Sequence, residues 1–248
     1  MARSGGTLIS KCLACMDGVV LLSEIHPLGT RQFNPIAQAR QWFDLLSSDD
    51  LARLVRAGSV EFAAAIHLIE QRARERGRRL VLRDWSHLDF TGVPFVAPAY
   101  RLRTAEALRT HFTLIQVCTV RHPLDQWLSL SRLAVVQGRL GLPQFLHGYR
   151  RFAEVAAGIG FHRYEDFVAA PAAVLEAMCR RLELAFDPGF ATRWPDWDKI
   201  TGDVGERQGR HEIRPAPRRP LPPGLLTACA ANPDYRAALD LLGYRHPG

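Results

Sequence analysis

Two rhythms of apolar residues alternate along the chain, and their alternation gives the fold class. Short apolar runs at Val19 to Leu22, Leu80 to Leu82 and Phe112 to Val120, with a strand-like Phe161-His162-Arg163-Tyr164, read as β-strands. Each run is followed by polar residues and then by a stretch in which apolar positions return every three or four residues. From Asn34 to Arg76 the helical rhythm dominates. Phe62, Ile66 and Ile69 share a face, the last turn is basic and Gly77 closes it, so two or three helices fit. Pro123 and Pro171 each open a helix at a position where a missing N–H costs nothing, the first carrying Leu130, Leu133 and Ala134 as its expected buried stripe. A last helix is predicted near Tyr235 to Leu242. Strands alternating with helices in this way predict an α/β protein, a three-layer αβα arrangement with a central, mostly parallel sheet.

Composition sharpens this picture in three places. A chain of 248 residues with 47% apolar content buries about 70 to 75% of its unfolded surface, so residues 1–248 read as one domain. Within it, 34–76 is a helical insert expected to shape an acceptor site, and the Gly-, Pro- and Arg-rich 196–223 is expected to be a loop. The net charge of +7 favours anionic partners: a nucleotide, a sulfated product, nucleic acid or an acidic membrane surface. No run approaches the roughly 18 apolar residues of a membrane span and no apolar leader is visible, so a cytoplasmic protein without a membrane span is expected. Five cysteines are an odd number in a chain too large to need staples. Cys12 and Cys15 form a C-x-x-C pair without a second pair at zinc-site spacing, so they read as small buried hydrophobes and no metal is expected.

Candidate chemistry concentrates in two segments. In Arg3-Ser4-Gly5-Gly6-Thr7-Leu8, two glycines permit close approach of backbone N–H groups, Thr7 adds a hydroxyl, and a helix N-terminus follows. A phosphate or phosphosulfate is the natural guest. The segment departs from the G-x-x-x-x-G-K-[ST] template, which argues against a phosphoryl transferase. In Val120-Arg121-His122-Pro123 through Ser129, an arginine at a strand end precedes a serine two helical turns on, a pairing suited to one anion. Taken alone, Arg121 is as well suited to a carboxylate.

Together these segments resemble the PAPS-dependent sulfotransferases, enzymes with a P-loop-like fold that use 3′-phosphoadenosine 5′-phosphosulfate. Arg3 to Leu8 resembles that family's 5′-phosphosulfate loop, and Arg121 with Ser129 its 3′-phosphate pair. Arg163-Tyr164-Glu165-Asp166-Phe167, followed by Pro171 and a helix through Leu184, is similar to its "YEDL" segment. The resemblance implies that Arg3 contacts the transferring group, that Ser4, Gly5, Gly6, Thr7 and Leu8 surround the 5′-phosphosulfate, and that Tyr164 lies near the adenine. It further implies a closing basic loop through Arg207 and Arg210. PAPS is then the co-substrate, with no metal, and the acceptor is a small molecule, a carbohydrate or a peptide. Gly6 stands where many members have threonine. Only Met1 and Ala2 precede the loop, where the family has a strand, so an apolar upstream segment is expected.

Two residues compete as general base. Glu24, after one short helix and one short strand, resembles the glutamate of some members, and His87 in Ser86-His87-Leu88 resembles the histidine of others. An unperturbed histidine titrates near 6.5 and is a ready base, whereas a glutamate near 4.3 needs raising. Spacing from the loop favours Glu24. Asp84 and His26 are placed to orient either one, while Trp85, Phe90, Phe95 and Tyr100 read as core. A non-enzymatic alternative, a basic nucleic-acid-binding protein, draws on the run Arg72 to Arg79. Glu70 and Glu75 interleave with that run and no stacking aromatics accompany it, so no nucleic-acid partner is expected.

Overall fold

Proline and asparagine punctuate the elements as their backbone chemistry requires. In the computed structural model, which describes residues 1–56, 61–202, 212–215 and 217–247, the chain opens on helix α1 (Gly6–Ala14) and strand β1 (Val19–Ile25). Three helices, α2 (Pro35–Phe43), α3 (Ser48–Arg56) and α4 (Phe62–Glu75), fill the insert before β2 (Arg79–Asp84). Then come α5 (His87–Thr91), α6 (Arg103–Leu108), β3 (Cys118–Val120), α7 (Pro123–Leu130), α8 (Leu142–Ile159) and β4 (Phe161–Arg163). The chain finishes with α9 (Tyr164–Ala169), α10 (Pro171–Leu182), α11 (Phe190–Arg193), α12 (Leu225–Ala231) and α13 (Pro233–Leu242). Prolines occupy the first turns of α2, α7, α10 and α13, and the side chains of Asn34 and Asn232 cap α2 and α13. Asp50 of α3 accepts from Arg72 of α4 at 2.6 Å, and this guanidinium holds the Asp50 carboxyl well below the usual carboxylate range.

Strand β1 sits between two helical layers. Val19 and Leu21 pack with α1, α10 and α11, while Val20, Leu22 and Ile25 pack with α2 and α4. Burying each such side chain stabilises the fold by about 1.5 to 3 kcal/mol. A separate core gathers Phe90, Val120, Leu124, Phe152 and Tyr235 around α8 and α13. All five cysteines are free and buried, three in the α1/α10 core and two in the α8/α13 core.

Among the described residues the strands form two two-stranded parallel sheets, where the sequence led to the expectation of a single central one. β1 pairs in parallel with β2, from Val19 opposite Arg79 to Ile25 opposite Asp84, and β3 pairs in parallel with β4, from Cys118 opposite Phe161 to Val120 opposite Arg163. No ladder joins β2 to β3, and a cleft separates them. This explains a second difference: of the predicted strand Phe112 to Val120, only Cys118–Val120 is a strand, because only those residues meet a partner. Helix α7 ends at Leu130, so Leu130 is buried but Ala134 is exposed. The described part of 196–223 holds no helix or strand. Among the described residues, no helix is long and apolar enough to cross a membrane.

Candidate active site

The glycine loop is shaped by two left-handed residues, Arg3 at φ 65° and Gly5 at φ 85°. Gly5 is needed on both counts that favour glycine, since a β-carbon there would also press into the Tyr164 ring. Ile9 N–H donates to the Gly5 carbonyl at 3.1 Å, so the N–H groups of Gly6, Thr7 and Leu8 have no intrahelical acceptor. With no acidic residue in its first turn, α1 presents a positive end to the loop.

Residues distant in sequence are fastened to this loop. Arg3 Nε donates to Ser129 Oγ at 2.7 Å, and Arg121 Nη1 donates to the Arg3 carbonyl at 3.4 Å. The Arg121 guanidinium lies 4.9 Å from the centre of the Tyr164 ring. Gln126 Nε2 donates to the Ala2 carbonyl at 2.7 Å, and Ser4 Oγ to the Met1 carbonyl at 2.9 Å. Arg3, Ser4, Gly5, Gly6, Thr7, Arg121, Ser129 and Tyr164 are thereby gathered in one place. Leu8 is the exception: its side chain is buried in the α1/α10 core, so only its backbone faces the loop. Arg207 and Arg210 lie outside the described residues. The strand end bearing Arg121 is itself held, by Tyr149 Oη donating to the Arg121 carbonyl at 2.5 Å and by His122 N–H donating to Glu165 Oε1 at 2.9 Å. Tyr244 Oη donates to the other Glu165 oxygen at 2.7 Å.

Glu24, near the end of β1, lines the same cavity as the glycine loop. The β1–β2 register slips between Ser23 and Ile25, leaving Glu24 as a bulged residue with φ 57°. Its Oε1 stands 3.4 Å from Arg83 Nη2, while Oε2 is buried and has no hydrogen-bond partner among the described residues. Arg83 Nη1 donates to Ser23 Oγ and to the Thr201 carbonyl, both at 3.1 Å. A β-carbon on Gly202, whose φ is 89°, would sit 3.1 Å from Thr7 Oγ1, 3.4 Å from Arg83 Nη2 and 3.5 Å from Glu24 Oε1. Thr7, Arg83 and Glu24 therefore converge on one point. Thr201 belongs to the segment that resembles the closing loop, whereas Arg83 and Ser23 carry no sequence motif; the one available signal is a guanidinium at a strand end four residues before His87.

His87 opens α5 and is buried, with Thr91 Oγ1 3.0 Å from its Nδ1. Burial pushes its ring pKa down to about 3, with the chain's amino group adding a smaller effect in the same direction. No hydrogen bond joins His87 to Glu24. The orienting roles expected of Asp84 and His26 are absent: Asp84 accepts from Thr104 at 2.6 Å and His26 pairs with Asp89 at 3.2 Å. Burial pushes the Asp84 carboxyl up to about 6.

Both candidate bases line a cavity of about 690 Å³, together with Arg3 to Thr7, Arg83, Ser86 and Gly202 and with residues of β2 and β3. Ile66 and Glu70 of the insert also line it. Of the aromatic residues expected in the core, Phe90 is fully buried, whereas Trp85 lines the cavity and Phe95 is exposed.

No protein-family model matches the sequence, and no curated protein matches it significantly. Among solved structures, the sulfotransferase domain from the curacin biosynthetic pathway superposes with a TM-score of 0.61, covering 99% of this chain and 96% of that one at 18% identity. The chain has the fold of a sulfotransferase domain.

Proposed function

We propose that this protein transfers a sulfuryl group from PAPS to a hydroxyl, or a similar nucleophile, of a small-molecule, carbohydrate or peptide acceptor. The observation that carries the reading is the convergence, on one cavity, of an anion-binding loop braced by Arg121 and Ser129 with a carboxylate that has one unpartnered oxygen. The donor set fits a doubly phosphorylated nucleotide: two guanidiniums, hydroxyls at Ser4, Thr7 and Ser129, and the N–H groups at the start of α1. Bound PAPS supplies an electrophilic sulfur and a phosphate leaving group. Glu24 Oε2 accepts the acceptor's proton as its oxygen bonds to sulfur. The bond from sulfur to the 5′-phosphate oxygen breaks, and the charge left on that oxygen is met by Arg3 and the α1 N-terminus. Arg83 Nη2, 3.4 Å from Oε1, holds the Glu24 carboxylate beside the loop.

Calorimetry with adenosine 3′,5′-bisphosphate against AMP tests the donor assignment. Each charge-assisted contact to the extra phosphate contributes about 1.5 to 3 kcal/mol, so the bisphosphate is expected to bind at least about tenfold more tightly. Equal affinities would remove Arg121 and Ser129 from the nucleotide site. Mass spectrometry of acceptor mixtures incubated with PAPS then identifies which compound gains a sulfuryl group.

A further inference from the structure

We infer that Arg83 holds the transferring sulfuryl group and stands as a cation between it and the Glu24 carboxylate, an assignment that rests on the reaction proposed above. A guanidinium carries five N–H donors in a planar fork. In Arg83 the two on Nη1 go to Ser23 Oγ and to the Thr201 carbonyl, both at 3.1 Å, and one on Nη2 faces Glu24 Oε1 at 3.4 Å. The Nε–H and the second Nη2 hydrogen have no acceptor among the described residues. The side chain is only 17% exposed, and a cation so far withdrawn from water is costly unless its donors meet anions. Burial lowers the Arg83 pKa in spite of the opposing Glu24 charge, so this one carboxylate does not offset the burial.

The spare donors lie beside the anion-binding loop. A β-carbon on Gly6 would sit 3.6 Å from Arg83 Nε, and one on Gly202 would sit 3.4 Å from Arg83 Nη2. Two glycines therefore border the guanidinium, and neither carries a side chain that would cover its edge. Gly6 is also the first residue of α1, one of those whose N–H groups lack an intrahelical acceptor. An anion seated on these groups is within reach of the Arg83 fork. The chemistry calls for a cation at this place. A sulfuryl group keeps negative charge on its non-bridging oxygens, and the base is a carboxylate, yet the acceptor oxygen must touch both. Their mutual repulsion opposes that approach. A guanidinium that faces Glu24 on one side and the sulfuryl oxygens on the other offsets it, with planar geometry suited to an oxyanion.

Calorimetry with two nucleotides tests this without an acceptor or turnover, because adenosine 3′,5′-bisphosphate differs from PAPS by the sulfuryl group alone. Arg83→Met removes the donors and keeps an unbranched side chain. It is expected to weaken PAPS about 10- to 150-fold while the bisphosphate stays nearly unchanged, which also reports a folded site. Arg83→Lys should recover part of the loss, as a point charge without the fork. Gly6 is helical and its β-carbon would meet only ordinary contacts, so Gly6→Thr sets a side chain against Nε with Arg83 itself in place. It should weaken PAPS in the parent and add little in Arg83→Met, the non-additivity of one shared contact. Equal losses for both nucleotides across the three variants would make Arg83 a support of the loop. Unchanged PAPS affinity in all three would leave it a partner of Glu24 alone, and either result overturns the inference. A parent chain that binds neither nucleotide would overturn the donor assignment, and this inference with it.

Discussion

The two carboxylate oxygens of Glu24 have unlike surroundings. Oε1 faces Arg83, Oε2 is buried without a partner among the described residues, and the residue is held in a left-handed bulge that costs about 1 to 3 kcal/mol for a non-glycine residue. Glu24→Gln is expected to lower kcat by about 10² to 10⁴ while the affinity for adenosine 3′,5′-bisphosphate stays nearly unchanged, as steady-state kinetics and calorimetry would read. His87→Asn should act more weakly on kcat, because a ring with a pKa near 3 is a poor proton acceptor at neutral pH; the reverse ranking would make His87 the base. The same ring governs a stability effect. Its folded pKa lies below the unfolded value of 6.5, so between about pH 3 and 6.5 the unfolded chain binds a proton that the folded chain refuses, and acidification destabilises the fold. Asp84 acts in the opposite sense, its stabilising contribution present below about 3.8 and lost as pH rises through about 6. Melting of the parent and His87→Asn at pH 5 and 7 separates them: the parent should lose more of its midpoint on acidification, and equal losses would show His87 to be solvated.

At the scale of elements, the sequence was legible wherever local chemistry decides and silent wherever a partner decides. Helices α2, α4, α10 and α13 follow from their apolar spacing, prolines and caps, all written into contiguous residues. The glycine loop was legible for the same reason: the backbone freedom of Gly5 and the start of α1 are local properties. Phe112 to Val117 has strand-like composition, but strand character needs a neighbour, and only Cys118–Val120 has one in β4. Strand β1 runs through Ser23 and Glu24, the end that its sequence indicates, and one residue further to Ile25, because Asp84 lies opposite. The choice between Glu24 and His87 is not legible for a related reason, since the burial that lowers the His87 pKa is a product of packing. The role of Arg83 is not legible locally because its partners, Ser23, Glu24 and Thr201, come from two other segments.

The whole molecule keeps helices on both faces of β1 and the fold of a sulfotransferase domain at 18% identity to the structure it matches. Such agreement at low identity reflects a pattern of buried positions more than particular residues. The cleft divides that pattern, with β1, β2 and two cores on one side and β3, β4 and the α8/α13 core on the other. The cysteines are distributed across the divide, Cys12, Cys15 and Cys179 on the first side and Cys118 and Cys229 on the second. Burial pushes every one of these thiols up, Cys118 to about 11, so the reactive thiolate is scarce in the folded state. Alkylation followed by peptide mass mapping therefore becomes a clock for each half separately. If the halves open as one unit, all five sites should be modified at a common rate in mild denaturant; if each half has its own latch, Cys118 and Cys229 will report a different time from the other three. The buried sulfurs, chemically silent in the intact protein, turn its internal seam into something that can be timed.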